Sequence, residues 1–135
     1  MRFSLSTKGF NDTIDITDKI SQAVKTSKVK DGICLISCPG STCGFTTIEY
    51  EKGVIEDLKR TLEKIAPMGE DYEHCKKWGD CNGYAHVRSA LIKPFLALPV
   101  EDEKLTLGQW QQIVFIDFDN RPREREILVK VVGEK

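Results

Sequence analysis

Four consecutive apolar residues, Ile113-Val114-Phe115-Ile116, constrain the fold of this chain more than any other feature of its sequence. Successive side chains of a β-strand point to opposite faces of its sheet, so this strand needs apolar cover on both faces. Two or three amphipathic helices can cover only part of such a sheet. We therefore expect a subunit interface to cover the rest.

Short runs of alternating, β-branched or aromatic residues predict the other strands. These runs occupy residues 2–7, 12–16, 33–37, 45–50 and 95–100. Apolar stripes at helical spacing predict a helix from Thr17, its N-cap, to about residue 27 and another over residues 54–65, before Pro67. A third, short helix is expected over residues 85–91.

The C-terminal third is predicted to form a long β-hairpin. Its strands are residues 112–118 and 126–132, and Asp119-Asn120-Arg121-Pro122 supplies residues typical of the turn between them. Together the elements predict a single α+β domain over residues 1–135, with a largely antiparallel sheet and two to three helices on one face.

Composition disfavours several functional classes. The net charge of −1 gives no overall attraction to nucleic acid or to an anionic membrane. No apolar run approaches the roughly 20 residues of a membrane span, and the N-terminus lacks a signal-peptide pattern. We therefore predict a cytoplasmic protein with neither kind of partner. The sequence also lacks a P-loop, a dinucleotide glycine motif, a Gly-x-Ser-x-Gly elbow and a His-Glu-x-x-His helix, which disfavours the enzyme classes that carry them.

The five cysteines are predicted to be reduced thiols. Their number is odd and no Cys-x-x-Cys pair occurs, which disfavours both a complete disulfide framework and a zinc ribbon. Cys34 and Cys43 have surroundings typical of small core residues. Cys75 and Cys81, with the two histidines of the chain, could supply soft ligands to a metal, although plain thiols fit their irregular spacing better.

Polar side chains are concentrated in residues 78–91, where a glycine-punctuated loop enters the predicted short helix. His86 is a candidate general acid or base because imidazole titrates near neutrality. Arg88 is a candidate bidentate phosphate ligand, and Asn82 and Gly83 could present an amide and backbone N–H groups to an anion. The structural alternatives are a hydrogen-bonded histidine, a surface ion pair and an ordinary Asn-Gly turn.

Glu49 ends a predicted strand and is the candidate partner that orients His86 or acts with it. Its structural alternative is a solvated strand end beside other exposed residues. On the residues alone, the structural alternatives are favoured for both side chains. Trp78 and Trp110 could wall a ring-binding pocket, but Trp110 is assigned a structural role because tryptophans more often anchor cores and interfaces.

Five motifs in order resemble the YjbQ-type family, whose members are described as secondary thiamine-phosphate synthases. They are Asp15-Ile16-Thr17, Ser41 to Glu49, Trp78-Gly79-Asp80 with Asn82-Gly83, Ala85 to Arg88, and Leu107 to Gln111. The resemblance implies a compact α+β homotrimer with a polar pocket near the subunit boundaries. It also implies a transferase that joins a hydroxymethylpyrimidine diphosphate to a thiazole phosphate and releases pyrophosphate. Function is then favoured for His86 and Glu49, with Ser41 and Thr42 as further substrate contacts.

Two departures from the family pattern affect this implied site. Gly40 and Tyr84 stand where the family usually has histidines. Glycine offers neither a ligand nor a proton carrier, and tyrosine has a pKa near 10, so we predict a weak or altered activity. His74 and His86 remain as candidate ligands of a divalent metal, Mg or Zn, and the cofactor is otherwise open.

Three functions therefore compete. The first is the transferase on a small phosphorylated heterocycle. The second is a metal-dependent hydrolase of a small phosphorylated substrate, built on His74, His86 and an acidic or thiol ligand. The third is a trimer that binds such a ligand without catalysis.

Overall fold

A computed structural model describes residues 1–135 as eight strands and four helices. The strands are β1 (Arg2–Thr7), β2 (Asp12–Asp15), β3 (Asp31–Ser37), β4 (Cys43–Ile48), β5 (Phe95–Glu101), β6 (Lys104–Leu105), β7 (Gln112–Asp117) and β8 (Arg123–Glu134). The helices are α1 (Thr17–Ser27), α2 (Lys52–Ile65), α3 (Glu73–Trp78) and α4 (Gly83–Ile92). No helix is both long and apolar enough to cross a membrane.

The strands form two antiparallel sheets, which confirms the predicted α+β class. One sheet has five strands in the order β1-β8-β3-β5-β6, and the other has three in the order β2-β7-β4. The long strand β8 pairs with β1 on one side and with β3 on the other. It is therefore an interior strand of the larger sheet, hydrogen-bonded along both edges.

The main hydrophobic core lies between the two sheets and is closed by α1. Cys34 and Ile36 from β3 meet Phe45 and Phe115 from the smaller sheet, and the two phenyl rings pack edge to face with centroids 5.1 Å apart. Ile20, like its neighbours on the inner face of α1, is fully buried. Full burial of one such side chain contributes about 1.5–3 kcal/mol.

A second core covers the opposite face of the smaller sheet. Its buried members are Leu62 of α2, Tyr84 and Ala85 of α4, and Val114, Ile116 and Phe118 of β7 and the residues after it. In the predicted α2 stripe Leu62 is buried and Leu58 is partly buried, whereas Ile65 at its end is exposed. Glu51 caps the helix by accepting hydrogen bonds from the N–H groups of Gly53 and Val54. This packing brings the start of α4 against the end of β7.

The predicted C-terminal hairpin is wrong. β7 lies in the smaller sheet and β8 in the larger one, so the two strands do not pair with each other. Residues 118–122 instead form a corner between the sheets, and Asp119 within it is fully buried. Turn-forming residues such as Asn120 and Pro122 are equally suited to a hairpin within one sheet and to a corner between two sheets. Their presence therefore does not distinguish a hairpin from a corner.

The expectation that β7 needs a second subunit to cover one of its faces is also wrong. Both faces of β7 are covered within one chain, since Ile113 and Phe115 enter the core between the sheets and Val114 and Ile116 pack against the helices. One group of exposed apolar residues lies on the outer face of the larger sheet. Its members include Ile33, Leu35, Phe95 and Val132.

Two local predictions also differ from the structure. Thr17 is not the N-cap of α1, because Ile16 occupies that position without a side-chain cap. The Thr17 hydroxyl instead donates to Asp15 and accepts from the N–H of Ile113. The helix α3 was not predicted, since its six residues are too few for a periodic apolar pattern.

Candidate functional site

Three segments meet at one end of the two sheets: the loop of residues 38–42, the corner of residues 118–122, and residues 72–86, which we call the histidine segment. The carboxylate of Asp119 joins them. It accepts hydrogen bonds from Thr42 Oγ1 at 3.0 Å and from Asn82 Nδ2 at 3.2 Å.

Asp117 anchors the first part of the site. Its fully buried carboxylate accepts hydrogen bonds from Arg125 Nε at 2.8 Å, from Arg125 Nη2 at 2.9 Å and from Thr7 Oγ1 at 2.6 Å. It also accepts the N–H of Asp119. Bidentate pairing of this kind fixes the guanidinium plane as well as its position.

Asp119 is equally saturated. Burial opposes its ionisation, but hydrogen bonds from Asn120 N–H, Asn82, Arg123 and Thr42 outweigh burial and lower its pKa from 3.8 to about 2. The carboxylate is therefore ionised at neutral pH. We name the set Thr42, Asp117, Asp119, Arg123 and Arg125 the carboxylate cluster. Its two negative and two positive charges balance, so it is a neutral scaffold.

The two histidines lie side by side on the other part of the site. His74 comes from α3 and His86 from the first turn of α4, and their ring centroids are 4.6 Å apart. Burial lowers the pKa of His86 below 6.5, and neighbouring His74 lowers it further, against opposing effects of Asp119, Asp80 and the Ser41 backbone. His86 is therefore neutral at pH 7.

Three buried side-chain polar atoms lack a hydrogen-bond partner, and all three lie in the histidine segment. They are His74 Nδ1, Asn82 Oδ1 and the hydroxyl of Tyr84. Asp80 Oδ1 lies 3.3 Å from His74 Nδ1 but out of line for a hydrogen bond. Buried polar groups are nearly always paired, so three unpaired atoms within one short segment distinguish it from the rest of the chain and make it the candidate site.

The prediction of five reduced thiols is wrong for two of them. A disulfide joins Cys75 and Cys81 and closes the loop that separates His74 from Asn82. Cys34, Cys38 and Cys43 are free and buried, which confirms the core assignment of Cys34 and Cys43. Spacing alone could not reveal the pairing, because α3 is needed to bring the two sulfurs together.

Arg88 does not face the site. Its side chain is fully buried, and it donates from Nε and Nη2 to the carbonyl of Ala66, from Nη1 to Asn11 and from Nη2 to Glu63. The guanidinium also lies over the ring of Tyr84. This arrangement holds the end of α2 against α4, and it leaves the predicted phosphate contact without geometric support.

Glu49 and His86 are not brought together in one chain. The Cys43 end of β4 adjoins α4, since Ser89 Oγ donates to the Cys43 carbonyl at 2.6 Å. Glu49 follows the opposite end of this six-residue strand and is exposed. At about 3.3 Å per residue, the two ends are roughly 20 Å apart.

The predicted substrate contacts lie near the site but differ in burial and in hydrogen bonding. Thr42 and Asn82 are buried and bonded to Asp119, whereas Ser41 is exposed and its backbone contacts His86. Gly83 is buried at the start of α4, where a Cβ would come within 2.7 Å of Tyr72 Cβ. The helix start thus brings its partial positive charge next to the histidines.

The two departures from the family pattern have structural consequences. A Cβ at Gly40 would lie 2.9 Å from Arg125 Nη1, so a larger residue there would disturb the Arg125–Asp117 pair. Tyr84 is fully buried, and burial raises the pKa of its hydroxyl to about 12. It can donate a hydrogen bond but cannot carry protons at neutral pH.

The residues present fit a metal ion only incompletely. His74 and His86 offer two imidazoles, but no group of three or more His, Cys, Asp or Glu side chains is arranged to hold a metal. The chain also has three surface cavities, of about 410, 330 and 200 Å3, and none is lined by either histidine. In a single chain the candidate site is therefore an open surface.

The carboxylate cluster was missed from the sequence, although a signal for it exists. Asp117 and Asp119 alternate at the end of an apolar strand, and Arg123 and Arg125 alternate at the start of the next. Side chains two residues apart share one face of a strand. Two such pairs of opposite charge across a corner predict a paired cluster once the corner is recognised.

Comparison with known proteins gives matches over almost the entire chain. The family described as UPF0047 protein YjbQ-like matches residues 1–134. A UPF0047 protein of Archaeoglobus fulgidus is 36% identical over 132 residues, covering 98% of this chain and 100% of the relative. A second, from Methanocaldococcus jannaschii, is 35% identical over 135 residues and covers 99% and 94% of the two chains.

Solved structures show the same fold. A YbjQ-like protein of unknown function from Sulfolobus solfataricus superposes with a TM-score of 0.93 at 31% identity, covering 99% of this chain and 96% of that one. An uncharacterized YjbQ/UPF0047 protein from Clostridium acetobutylicum has a TM-score of 0.88 at 34% identity, covering 98% and 99%. None of these four descriptions names an activity.

Proposed function

The chain belongs to the YjbQ-like UPF0047 family, and from this premise we propose that it acts on a small phosphorylated heterocycle at the histidine segment, as a thiamine-phosphate synthase-like transferase. In the proposed reaction a thiazole phosphate is joined to a hydroxymethylpyrimidine diphosphate, and pyrophosphate leaves. The observation that carries the proposal is the set of three unpaired buried polar atoms in the histidine segment, which also holds His86.

The proposed anionic ligand binds outside the carboxylate cluster. The cluster is internally balanced, so the anion would be met by the two imidazoles and by the N–H groups at the start of α4. A bound diphosphate favours the charged form of a nearby imidazole and so raises the pKa of His86. His86 would take up a proton on binding and donate it to the departing pyrophosphate oxygen.

Glu49 enters the proposal only through a second subunit. Within one chain it follows the end of β4 that is remote from α4, whereas the resemblance implies a homotrimer with pockets near the subunit boundaries. The exposed apolar face of the larger sheet supplies a surface for assembly: Val132 is 71% exposed and Ile33, which pairs with it, is 57% exposed. Closed assembly would remove this surface from water.

A complementation experiment tests that arrangement. Chains carrying His86→Asn and chains carrying Glu49→Gln are each expected to be inactive alone. If the two residues act across a boundary, random mixing in a cyclic trimer restores roughly a quarter of wild-type activity. Failure of the mixture, with trimers present by sedimentation, would remove Glu49 from the site and leave the ligand proposal standing.

The reaction itself is tested by pairing binding with turnover. Thermal shifts are measured with thiamine phosphate, each precursor and pyrophosphate, and product formation is followed with both precursors present. Binding stabilises the folded protein by mass action without proving chemistry, so both readouts are needed. We expect stabilisation by the phosphorylated ligands and slow turnover, lost in His86→Asn and retained in Val87→Ala, which alters an exposed neighbour. Stabilisation without turnover would favour the non-catalytic trimer.

The histidine pair favours a second candidate, a metal-dependent hydrolase of a small phosphorylated substrate. Two adjacent imidazoles are a common part of a zinc site, but a single chain arranges no group of three His, Cys, Asp or Glu side chains to hold a metal. Metal analysis of freshly purified protein separates this candidate from the transferase. One tightly bound metal per chain, lost in His74→Asn, together with phosphate release would favour the hydrolase.

A further inference from the structure

Two free thiols converge beneath the loop of residues 38–42, outside the histidine segment. Cys38 is 4% exposed and Cys43 is fully buried. The point that a Cβ of Gly40 would occupy lies 3.8 Å from the Cys38 sulfur, 3.3 Å from the Cys43 sulfur and 2.9 Å from Arg125 Nη1. Two sulfurs and a guanidinium nitrogen therefore surround a single position.

The surroundings make the two thiols unequal. A hydrogen bond from the Cys43 thiol lowers the pKa of Cys38, and the Arg125 charge lowers it further, against burial and the charges of Asp117 and Glu126. The same hydrogen bond and burial raise the pKa of Cys43. The thiolate is the nucleophilic form of cysteine, so Cys38 is the more reactive member.

Cys34 provides an internal reference. It lies in the core between the sheets, and burial raises its pKa to about 11, whereas that of Cys38 is lowered below 9.0. At neutral pH a larger fraction of Cys38 than of Cys34 is therefore thiolate. A reagent that needs a thiolate should distinguish the two buried residues.

We propose that Cys38 and Cys43 form a dithiol that reduces a hydroperoxide, with Cys38 as the attacking thiol and Cys43 as the resolving thiol. The Cys38 sulfur attacks one peroxide oxygen, the O–O bond breaks, and the departing oxygen leaves as water or an alcohol after protonation. Cys38 is then a sulfenic acid. The Cys43 sulfur attacks it, the S–S bond forms, and the S–O oxygen leaves as water. The two thiols lose two electrons, which the peroxide gains.

The position of the loop connects this chemistry to the candidate site. Thr42 of the loop donates to Asp119 and accepts from Arg125 Nη2, and the Ser41 backbone contacts His86. A bond between Cys38 and Cys43 would close the loop at both ends. Pro39 and Ser41 are exposed, so the loop that joins the two cysteines borders the solvent from which a small peroxide would enter. The proposal is independent of the transferase assignment.

Peptide mapping tests the disulfide step. Folded protein, prepared without reductant so that the Cys75–Cys81 bond is kept, is treated with equimolar hydrogen peroxide, blocked with an alkylating reagent and digested. We expect a Cys38–Cys43 disulfide and an alkylated Cys34. Cys34→Ser should leave the new disulfide unchanged. Oxidation of Cys34 at the same rate, or a disulfide joining any other pair, would overturn the proposal.

A second experiment tests the order of the two steps. Cys43→Ser removes the resolving thiol, so dimedone should trap the sulfenic acid on Cys38, whereas Cys38→Ser should give no label. Arg125→Gln should slow labelling by about tenfold or more through the lost positive charge, and Arg125→Lys should restore much of the rate. Circular dichroism confirms that each variant is folded. Equal dimedone labelling of the Cys38→Ser and Cys43→Ser variants, or labelling of folded Arg125→Gln at the wild-type rate, rejects the assignment.

Discussion

The carboxylate cluster and the histidine segment meet at Asp119, yet they differ in whether their buried polar atoms have hydrogen-bond partners. In the cluster, Asp117 and Asp119 each accept several hydrogen bonds, and both guanidinium groups are paired. In the segment, His74, Asn82 and Tyr84 each carry a buried atom without a partner. Two neighbouring regions thus differ in how completely their buried polar groups are hydrogen-bonded.

This difference separates a scaffold from a binding surface. A saturated buried network fixes geometry and has no capacity left for a ligand, while unsatisfied groups retain hydrogen-bonding capacity at a cost in stability. Variants in the cluster should therefore mainly change the free energy of unfolding. Variants in the segment should mainly change ligand affinity.

The largest expected effect is on stability, from Asp117→Ala. It leaves Arg125 buried without its carboxylate partner, and breaking a buried pair in this way costs about 3–5 kcal/mol. The matched control is Glu126→Gln, which removes an exposed pair with Arg2 and should change stability by less than about 1 kcal/mol. Urea unfolding of both variants provides the measurement. Equal midpoints would mean that the cluster is not a scaffold.

Arg88→Ala should come next. It removes the hydrogen bonds to the Ala66 carbonyl and leaves a cavity beside Tyr84, for a loss of about 2–4 kcal/mol. Arg60→Ala, which removes an exposed pair with Asp57 on α2, should cost less than about 1 kcal/mol. Pyrophosphate affinity measured on folded Arg88→Ala should equal that of wild type. A large loss of affinity in stable protein would restore the predicted phosphate role.

Features of the fold that depend on local sequence patterns could be predicted, whereas those that depend on distant contacts could not. Periodicity predicts α2 and most strands because the pattern and the element occupy the same residues. The β7–β8 hairpin failed because local turn chemistry at Asn120 and Pro122 does not specify which sheet follows. Arg88 was misplaced because its partners, Asn11 and Ala66, are distant in sequence. The site depends on such long-range contacts, and one sequence does not contain them.

His86→Asn should remove the pH dependence of anion binding. Bound pyrophosphate raises the pKa of His86, so affinity should be highest below the lowered pKa of the free protein and fall as pH rises through it. Loss of this charge-assisted contact costs roughly 1.5–3 kcal/mol, or about tenfold or more in affinity at low pH. In His74→Asn the transition should move upward toward 6.5, because neighbouring His74 lowers the pKa of His86. Calorimetric titrations with pyrophosphate at several pH values provide the measurement. If both variants keep the wild-type dependence of affinity on pH, His86 is not the group that takes up the proton.

Asn82→Ala should have the smallest effect. Loss of one neutral hydrogen bond to the ligand costs about 0.5–1.5 kcal/mol, which lowers affinity by roughly two- to tenfold. Gln22→Ala removes an exposed amide on α1 and should leave affinity unchanged. Because Asn82 also donates to Asp119, its variant should lose some stability as well. If stability falls and affinity does not, Asn82 belongs to the scaffold alone.

The most direct test is a titration of nitrogen-15-labelled protein with pyrophosphate, followed by NMR of the side-chain nitrogens. Saturable shifts are expected for the imidazoles of His74 and His86 and for the Asn82 amide, while the guanidinium signals of Arg88 and Arg125 keep their positions. Saturable shifts confined to the arginines, or to residues outside the histidine segment, would contradict the assignment of the unpaired groups as the ligand surface.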